Sequence, residues 1–445
     1  MTDFYTPGQD INGNAYLVGV ALKNDRSTLW SVQDSLAELK RLSETAGLKV
    51  VGQTSQKLNS VHPATYIGSG KVEEIKSEIA MLDAGTVIFD DELSPGQQRN
   101  LERAFGENMS KPFGRKVLDR TALILDIFAQ HAATREGMLQ VELAQYQYRL
   151  PRLTRMWTHL ARQAGGGSAR GGAGGVGLRG PGETQLEVDR REITSRISHI
   201  KRSLETVRRH RAQYRQRRER SGVPVVALVG YTNAGKSTLL NALSGAHVLA
   251  ENKLFATLDP TTRRVALPEG REVLFTDTVG FIQKLPTHLV AAFRATLEEI
   301  KSADLLLHVV DISHPMADGQ MNAVEEVLET LDFADIPMLM AWNKMDLLTD
   351  EQRETFASEG NQYGDSILVS AQSGEGIPRL LSKIQTILHR QMVEVNLCIP
   401  YSQGNLLNLI HQQGKIERTS HEHDGTHVHA YVPKQIVGQL RPLAL

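Results

Sequence analysis

Residues 230–237 read Gly-Tyr-Thr-Asn-Ala-Gly-Lys-Ser, between the apolar run Val223–Val229 and the helix-like Thr238–Leu243. This is the order G-x-x-x-x-G-K-[ST] in a strand, loop and helix context, and the chemistry it suits is the holding of a phosphate chain. Glycines let the loop wrap the phosphates, so that its backbone N–H groups and the N-terminus of the following helix face them. Gly230, Tyr231, Thr232, Asn233, Ala234, Gly235 and Thr238 are the cradle; Lys236 reaches the β and γ oxygens, and the Ser237 hydroxyl is placed to ligate Mg²⁺.

Three companions follow in chain order. Val273–Phe275 leads into Asp277-Thr278-Val279-Gly280, a carboxylate and a glycine at the spacing of an Mg²⁺ and γ-phosphate sensor. After the apolar run Pro337–Ala341 comes Asn343-Lys344-Met345-Asp346. Asp346 can accept two hydrogen bonds from the N1–H and N2 amine of guanine, whereas adenine has no matching donor pair, so GTP is favoured over ATP. Ile367–Val369 then precedes Ser370-Ala371, where a backbone N–H can meet the guanine O6.

Such loops must be positioned by alternating strands and helices. At 445 residues the chain predicts two to four domains. Strand-like Tyr16–Leu22, Leu48–Gln53 and Thr86–Asp90 alternate with helical Val32–Ala46, Val72–Leu82 and Pro95–Phe105, and Val117–Leu150 reads as long helix. From Val223 to about Arg390 the pattern is strongly α/β; the tail from Val393 carries a helix at Asn405–Gln412 and two short strands. The expected domains are therefore 1–150, 151–222, 223–390 and 391–445. No run of about 18 apolar residues occurs, and Met1–Tyr5 lacks the basic flank and apolar stretch of a secretory signal. Cys398 is the only cysteine, which predicts neither an internal disulfide nor a Cys-based zinc site and fits a reducing cytosol.

Charge is unevenly spread. Residues 151–222 hold 17 Lys/Arg against 6 Asp/Glu, a net of +11, which leaves −12 for the rest of a chain of net −1. Ala164–Gly182 contains ten glycines with Arg170 and Arg179 among them. It reads either as a flexible linker or as a loop that orders against RNA, with glycine allowing close approach to phosphates. In Glu183–Arg220 the residues Leu186, Ile193, Ile197, Ile200, Leu204, Val207 and Tyr214 recur at spacings near 3.5, a coiled-coil seam expected to pack on Val117–Leu150 or a second arm. Arg208, Arg209, Arg211, Arg215, Arg217, Arg218 and Arg220 crowd its end. Beside the glycine-rich segment, that run points to nucleic acid rather than a merely solvated face.

Together these motifs are those of translation-factor-class GTPases, and the chain resembles the HflX GTPases. The resemblance rests on Gly165–Gly182, the arm Glu183–Arg220, the stretch Phe255-Ala256-Thr257-Leu258-Asp259-Pro260-Thr261-Thr262-Arg263 and Asp277–Phe281, and covers nearly the whole chain. It implies an α/β N-terminal domain with a helical coiled-coil arm, a Ras-like P-loop GTPase domain and a small α+β C-terminal domain. It further implies Mg²⁺-dependent GTP hydrolysis, binding to the large ribosomal subunit and its rRNA, and action on stalled or stressed ribosomes, which members of the family can split. Thr257 is then the switch residue for Mg²⁺ and γ-phosphate, with Thr261 and Thr262 as rivals. Ras-like enzymes place a water-orienting glutamine after the glycine of Asp277–Gly280; this chain has Phe281, so unaided hydrolysis should be slow and a partner, or Gln283, must complete the site. Asn233 stands where some relatives hold K⁺ in place of an arginine finger, which makes K⁺ a second cation to test. A monomer when free, a cytoplasmic location with room for peripheral membrane association, and a weaker ATPase activity complete the expectations. The competing reading is a GTP-gated RNA-binding regulator in which hydrolysis is incidental.

Three weaker signals remain. Tyr66-Ile67-Gly68-Ser69-Gly70-Lys71-Val72 imitates a phosphate loop but has Thr65 and Val72 where glycine and Ser/Thr belong, so a strand-to-helix turn is the better reading. His421, His423, His427 and His429 flank Asp424-Gly425 in an expected hairpin; a two-residue Asp424-Gly425 turn splits them between faces, and only a three-residue turn gathers them for a metal. Trp157, between Arg155 and His159, either packs in a core or stacks on a base.

Overall fold

Runs of branched apolar residues bounded by turn residues become buried parallel strands, and stripes at helical spacing become the helices that cover them. The computed structural model describes residues 13–23, 30–106, 115–153, 181–245, 254–255, 260–285, 300–331, 333, 335–359 and 365–440. They fall into two compact units, one of residues 1–205 with 284–292 and one of 206–283 with 293–445.

The first unit begins β1 (Asn14–Leu22), α1 (Val32–Thr45), β2 (Lys49–Leu58), α2 (Ser69–Met81), β3 (Thr86–Phe89), α3 (Pro95–Gly106) and β4 (Lys116–Asp119). Its strands form a parallel sheet of order β2-β1-β3-β4. Ser31 starts α1 with a capping box closed by Asp34. The expected long helix over Val117–Leu150 is instead a strand and two helices, α4 (Arg120–His131) and α5 (Arg135–Leu153). The cause is Asp119, whose Oδ1 accepts from Ala122 N at 2.8 Å and from Tyr148 Oη at 2.9 Å, while Oδ2 accepts from Leu93 N at 3.1 Å. It caps one helix and ties three elements to the strand end. Next to it Arg120, fully buried, donates to Asp90 and Glu38 at 2.7 Å each and to the Ser35 carbonyl at 3.1 Å. Burial works against that charge, and the two carboxylates outweigh burial, so the guanidinium stays firmly protonated.

The arm is α6 (Pro181–Ser221), 41 residues long with proline in its first turn. Ile200 and Leu204 of the predicted seam are buried against Leu143 of α5, with Ile197, Leu139 and Tyr146 around them. Arg196 adds a bridge to Glu142 at 2.7 Å.

The second unit contains β5 (Val225–Val229), α7 (Lys236–Ser244), β6 (Thr261–Ala266), β7 (Glu272–Asp277), β8 (Leu305–Asp311), α8 (Ala317–Thr330), β9 (Met338–Asn343), α9 (Asp350–Glu359), β10 (Ser366–Leu368) and α10 (Ile377–Arg390). The six-stranded sheet has the order β10-β9-β8-β5-β7-β6, parallel except for β6 against β7. Its core includes Val226, Leu228, Leu239, Phe275, Leu307, Leu339 and Leu380. The chain moves from β5 outward to β7 and β6 on one side, then to β8 on the other. The end of β5 is therefore the point where strand order reverses, the place where such sheets bind ligands.

A smaller sheet follows, with β11 (Val393–Ile399), α11 (Gly404–Gln413), β12 (Lys415–Glu422), β13 (Gly425–Val432) and α12 (Lys434–Leu440). The strands run in the order β11-β13-β12, all antiparallel, over a core of Leu397, Ile399, Ile410, Val428, Ala430 and Val432. The hairpin differs from both expected registers: Glu422 pairs with Gly425 and His421 with Thr426, so the turn is His423-Asp424. His427 and His429 share one face, opposite the buried Thr426 and Val428, and His421 lies across from Thr426 with a 3.1 Å contact to its hydroxyl. The four histidines are not gathered.

Candidate nucleotide site

Every strand of β5 to β10 that carries a motif ends at the same edge of the large sheet. After β5 the chain reaches Gly230 at φ 150°, Asn233 at φ 62° and Gly235 at φ 93°, and α7 begins at Lys236. At Gly235 only glycine fits: a Cβ there would stand 2.2 Å from Asn343 Nδ2. That side chain closes the loop from outside. Its Nδ2 donates to the Ala234 carbonyl at 2.8 Å and its Oδ1 accepts from Ala371 N at 2.9 Å. Asn343 is thus a staple between the phosphate loop and the Ser370-Ala371 loop. The Ala371 N–H, offered above to guanine O6, is bonded to Asn343, because one carboxamide can donate and accept at once. Ser370 is fully buried, and its hydroxyl accepts from Ser373 N at 3.0 Å.

Lys236 is buried, and its ammonium donates to the carbonyls of Gly230 at 3.0 Å and Tyr231 at 2.8 Å. Burial pushes its pKa down to about 8, with Asp277 opposing the fall. A buried ammonium resting on two neutral carbonyls is a charge in want of an anion. The Ser237 hydroxyl donates to Asp277 Oδ2 at 2.6 Å, so two of the three predicted metal residues already meet. Two hard oxygen donors suit Mg²⁺, which prefers few protein ligands together with phosphate and water. Thr278 turns inward, donating to the Leu228 carbonyl at 2.6 Å. Gly280 lies against the loop, where a Cβ would meet Thr232 Cα at 2.9 Å and Lys236 Nζ at 3.1 Å.

Phe281 is buried at 2% exposure and pinned to the loop: its N–H donates to Gly230 O at 3.1 Å and its carbonyl accepts from Thr232 N at 2.7 Å. Gln283 is buried as well, its N–H donating to Tyr231 Oη at 2.8 Å. Thr262 is engaged in the β6–β7 pair, 3.0 Å from the Thr276 hydroxyl, and Thr261 pairs in register with Asp277. Thr257, Arg170, Arg179 and Trp157 lie outside the described residues, as does the side chain of Arg215. Arg208, Arg209 and Arg211 lie on α6.

In the guanine-recognition loop Lys344 takes the left-handed conformation at φ 66°, and its ammonium is held 2.6 Å from Asp311 Oδ2. Asp346 follows in the short helical turn Met345–Leu347. Asp311 escaped the motif reading, as did His308 on the same strand. Asp311 also accepts from Ser313 N and Oγ, at 3.1 and 2.6 Å. Its only signal in the sequence is a carboxylate closing a buried apolar strand. His308 is buried beside Lys236; burial first, and then the lysine charge, push its pKa down to about 4 and keep it neutral at pH 7.

Four family models match this chain in order. They are described as GTP-binding GTPase N-terminal (residues 33–129), GTP-binding GTPase Middle Region (131–218), 50S ribosome-binding GTPase (225–344) and HflX C-terminal domain (356–432). "GTPase HflX" of Lacrimispora saccharolytica is 45% identical over 97% of this chain and 96% of its own. The chain belongs to the HflX family of GTPases. Further HflX relatives from Caldanaerobacter subterraneus and Escherichia coli are 48% and 42% identical over 92% and 96% of this chain, and over 90% and 94% of theirs. The chain is therefore a GTPase, and its chemistry is GTP and water going to GDP and phosphate. Among the described residues no helix is long and apolar enough to cross a membrane.

Proposed function

We propose that this HflX GTPase is Mg²⁺-dependent, binds the large ribosomal subunit through its basic arm, and hydrolyses GTP fast only there, so as to split or rescue stalled ribosomes. The observation that carries the reading is Phe281. It occupies the position of a water-orienting glutamine, and its ring is buried while its backbone is tied to the phosphate loop. An aromatic side chain cannot orient the attacking water, so the basal site lacks that function and needs it from outside or from a rearranged switch. Lys236 and an Mg²⁺ ion held by Ser237, by Thr257, and by Asp277 through water would neutralise charge developing at the β–γ bridge. The name of the family model over 225–344 points to the 50S subunit, and the net +11 of residues 151–222 supplies a polyanion-binding segment beside it. Arg170, Arg179, Arg208, Arg209, Arg211 and Arg215 are the proposed rRNA contacts. Residues 223–390 and 391–445 serve as the nucleotide and C-terminal domains of this machine.

Steady-state GTP hydrolysis with and without purified large subunits, in K⁺ and in Na⁺, with ATP in parallel, tests this. The reading expects strong stimulation by the subunit with GTP. Replacing Arg208, Arg209 and Arg211 by alanine should abolish that stimulation and spare basal turnover. No stimulation by the subunit would remove the ribosome from the reading and leave a GTPase of unassigned partner. Equal rates in K⁺ and Na⁺ would dispose of K⁺ at Asn233. Subunit binding that depends on GTP while the rate stays unchanged would favour the regulator reading.

A further inference from the structure

The three-stranded sheet brings together Cys398, Asp424 and His427, one ligand atom from each lying within 4.8 Å of the others. They come from two stretches of the chain, β11 and the β12–β13 hairpin. Cys398 on β11 and His427 on β13 are direct partners across an antiparallel pair, and Asp424 stands in the turn that enters β13. Gly425 makes the approach close: a Cβ there would lie 2.5 Å from the Ile399 carbonyl and 3.3 Å from Cys398 Sγ. His427 Nε2 is 3.1 Å from Asp424 Oδ1, and Cys398 Sγ is 3.6 Å from Asp424 Oδ2. Zinc–ligand bonds of about 2.0–2.3 Å in a tetrahedron set ligand atoms about 3.3–3.8 Å apart. The Cys398–Asp424 separation falls inside that range, and the His427–Asp424 separation lies just short of it.

We propose that Cys398, Asp424 and His427 form a site for a zinc-class divalent ion, a site apart from the Mg²⁺ position at Ser237 and Asp277. Thiolate, imidazole and carboxylate together suit Zn²⁺ and disfavour Mg²⁺ and Ca²⁺. Glu422, with Oε2 3.9 Å from His427 Nε2, or a water completes four-coordination. His427 also lines a groove of about 610 Å³ with Asn396, Arg418 and Ser420, which gives an ion a way in. On binding, the thiol of Cys398 loses one proton to solvent and its sulfur forms the metal bond. The metal takes the Nε2 position facing Asp424 and the neutral ring keeps its single proton on Nδ1, so one proton, that of the thiol, is released per ion. The neighbouring His429 is different. Its Nε2 is 2.7 Å from Glu394 and its Nδ1 3.4 Å from Glu417, so both ring nitrogens are occupied. A single cysteine excludes an all-thiolate site, but a mixed set needs only one.

Because Cys398 is the only cysteine, its alkylation reports on this site alone. The test uses tag-free full-length protein with GDP, excess Mg²⁺ and a non-thiol reductant. Zn²⁺ should protect the thiol from alkylation, reversibly on adding chelator, and Co²⁺ should give a thiolate-to-metal charge-transfer band. Competition against a chromophoric chelator should show one Zn²⁺ lost or weakened by more than about 100-fold in Cys398→Ser and His427→Ala, since even outer partners of metal ligands are worth about 10–100-fold. His429→Ala should change that affinity less than threefold. Circular dichroism checks the variants' folding, and the wild-type alkylation result stands without them. Unprotected alkylation at saturating Zn²⁺, or zinc affinity that follows His429 rather than Cys398 and His427, overturns the proposal.

Discussion

Two loops in this molecule carry glycines and a lysine at the junction of a strand with a helix, and they handle the lysine's charge in opposite ways. In Tyr66–Val72 the N–H of Gly68, the N-cap of α2, is taken by Gln56 Oε1 at 3.0 Å, and Lys71 is paired with Glu74 at 2.6 Å and with Thr54 at 3.2 Å. In Gly230–Ser237, among the described residues, no carboxylate is bonded to Lys236; two carbonyls hold it, and Asp277, whose charge acts on it, is bonded to Ser237. The first loop has answered its own charge from within the protein. The second has buried a charge at the cost of desolvation and can recover that cost only from a ligand's phosphates. What separates a phosphate loop from its imitation is thus the fate of the ammonium and of the backbone N–H groups, more than the presence of glycine.

The largest expected contrast comes from removing each lysine. Lys236→Ala should lower GTP turnover by at least about 10²–10³-fold, the scale of one lost transition-state contact. Lys71→Ala should leave turnover and fluorescent-GDP binding within twofold; equal losses in both would break the comparison.

The glycines offer the next contrast. Gly235→Ala places a Cβ on Asn343 at φ 93°, which costs about 1–2 kcal/mol in backbone strain alone and should weaken GDP at least about tenfold. Gly70, inside α2 with open space around it, should accept alanine with a gain of about 0.4–1 kcal/mol in thermal unfolding and no change in GDP affinity.

A third contrast lies in pH. With Lys236 at about 8 in the nucleotide-free protein, the unfolded chain holds a proton that the folded one has lost between pH 8 and 10.5, so folding stability should rise with pH there. Triphosphate restores the charged form. GTP binding should therefore take up a proton above pH 8, and affinity should fall by up to about tenfold per pH unit in titration calorimetry across buffers of different ionisation heat. A flat profile between pH 8 and 9 would contradict the lowered lysine.

The smallest effect is expected at Glu74→Gln, which frees Lys71 from a half-exposed pair. It should cost under about 1 kcal/mol and create no nucleotide binding in the N-terminal sheet, because Gln56 still occupies the N–H of the Gly68 cap. Nucleotide gained there in a protein disabled by Lys236→Ala would show that Glu74 alone had plugged the loop.

How far the sequence could be read depended on the range of the interactions concerned. The phosphate loop was legible because its signals are local: glycine spacing, a strand before it and a helix after it. The seam on α6 was legible for the same reason, and Ile200 and Leu204 are its buried centre. The break at Asp119 was not, since a carboxylate inside an apolar run reads as helix until Leu93 and Tyr148 arrive from elsewhere to bind it. The role of Asn343 as a staple, and Asp311's hold on Lys344, likewise depend on strands distant in sequence ending side by side.

Residue order by itself determined the GTP chemistry, the alternation of strand and helix, and the concentration of positive charge in one segment, because each follows from side-chain type and short-range periodicity. Only the tertiary structure decided which charges are answered internally and which are left for a ligand. It placed Lys236 on carbonyls and Lys71 on a carboxylate. It also moved the hairpin turn to His423-Asp424, setting Asp424 beside Cys398 and His427. Such pairings depend on register and strand order, and a shift of one residue sends a side chain to the opposite face of a sheet.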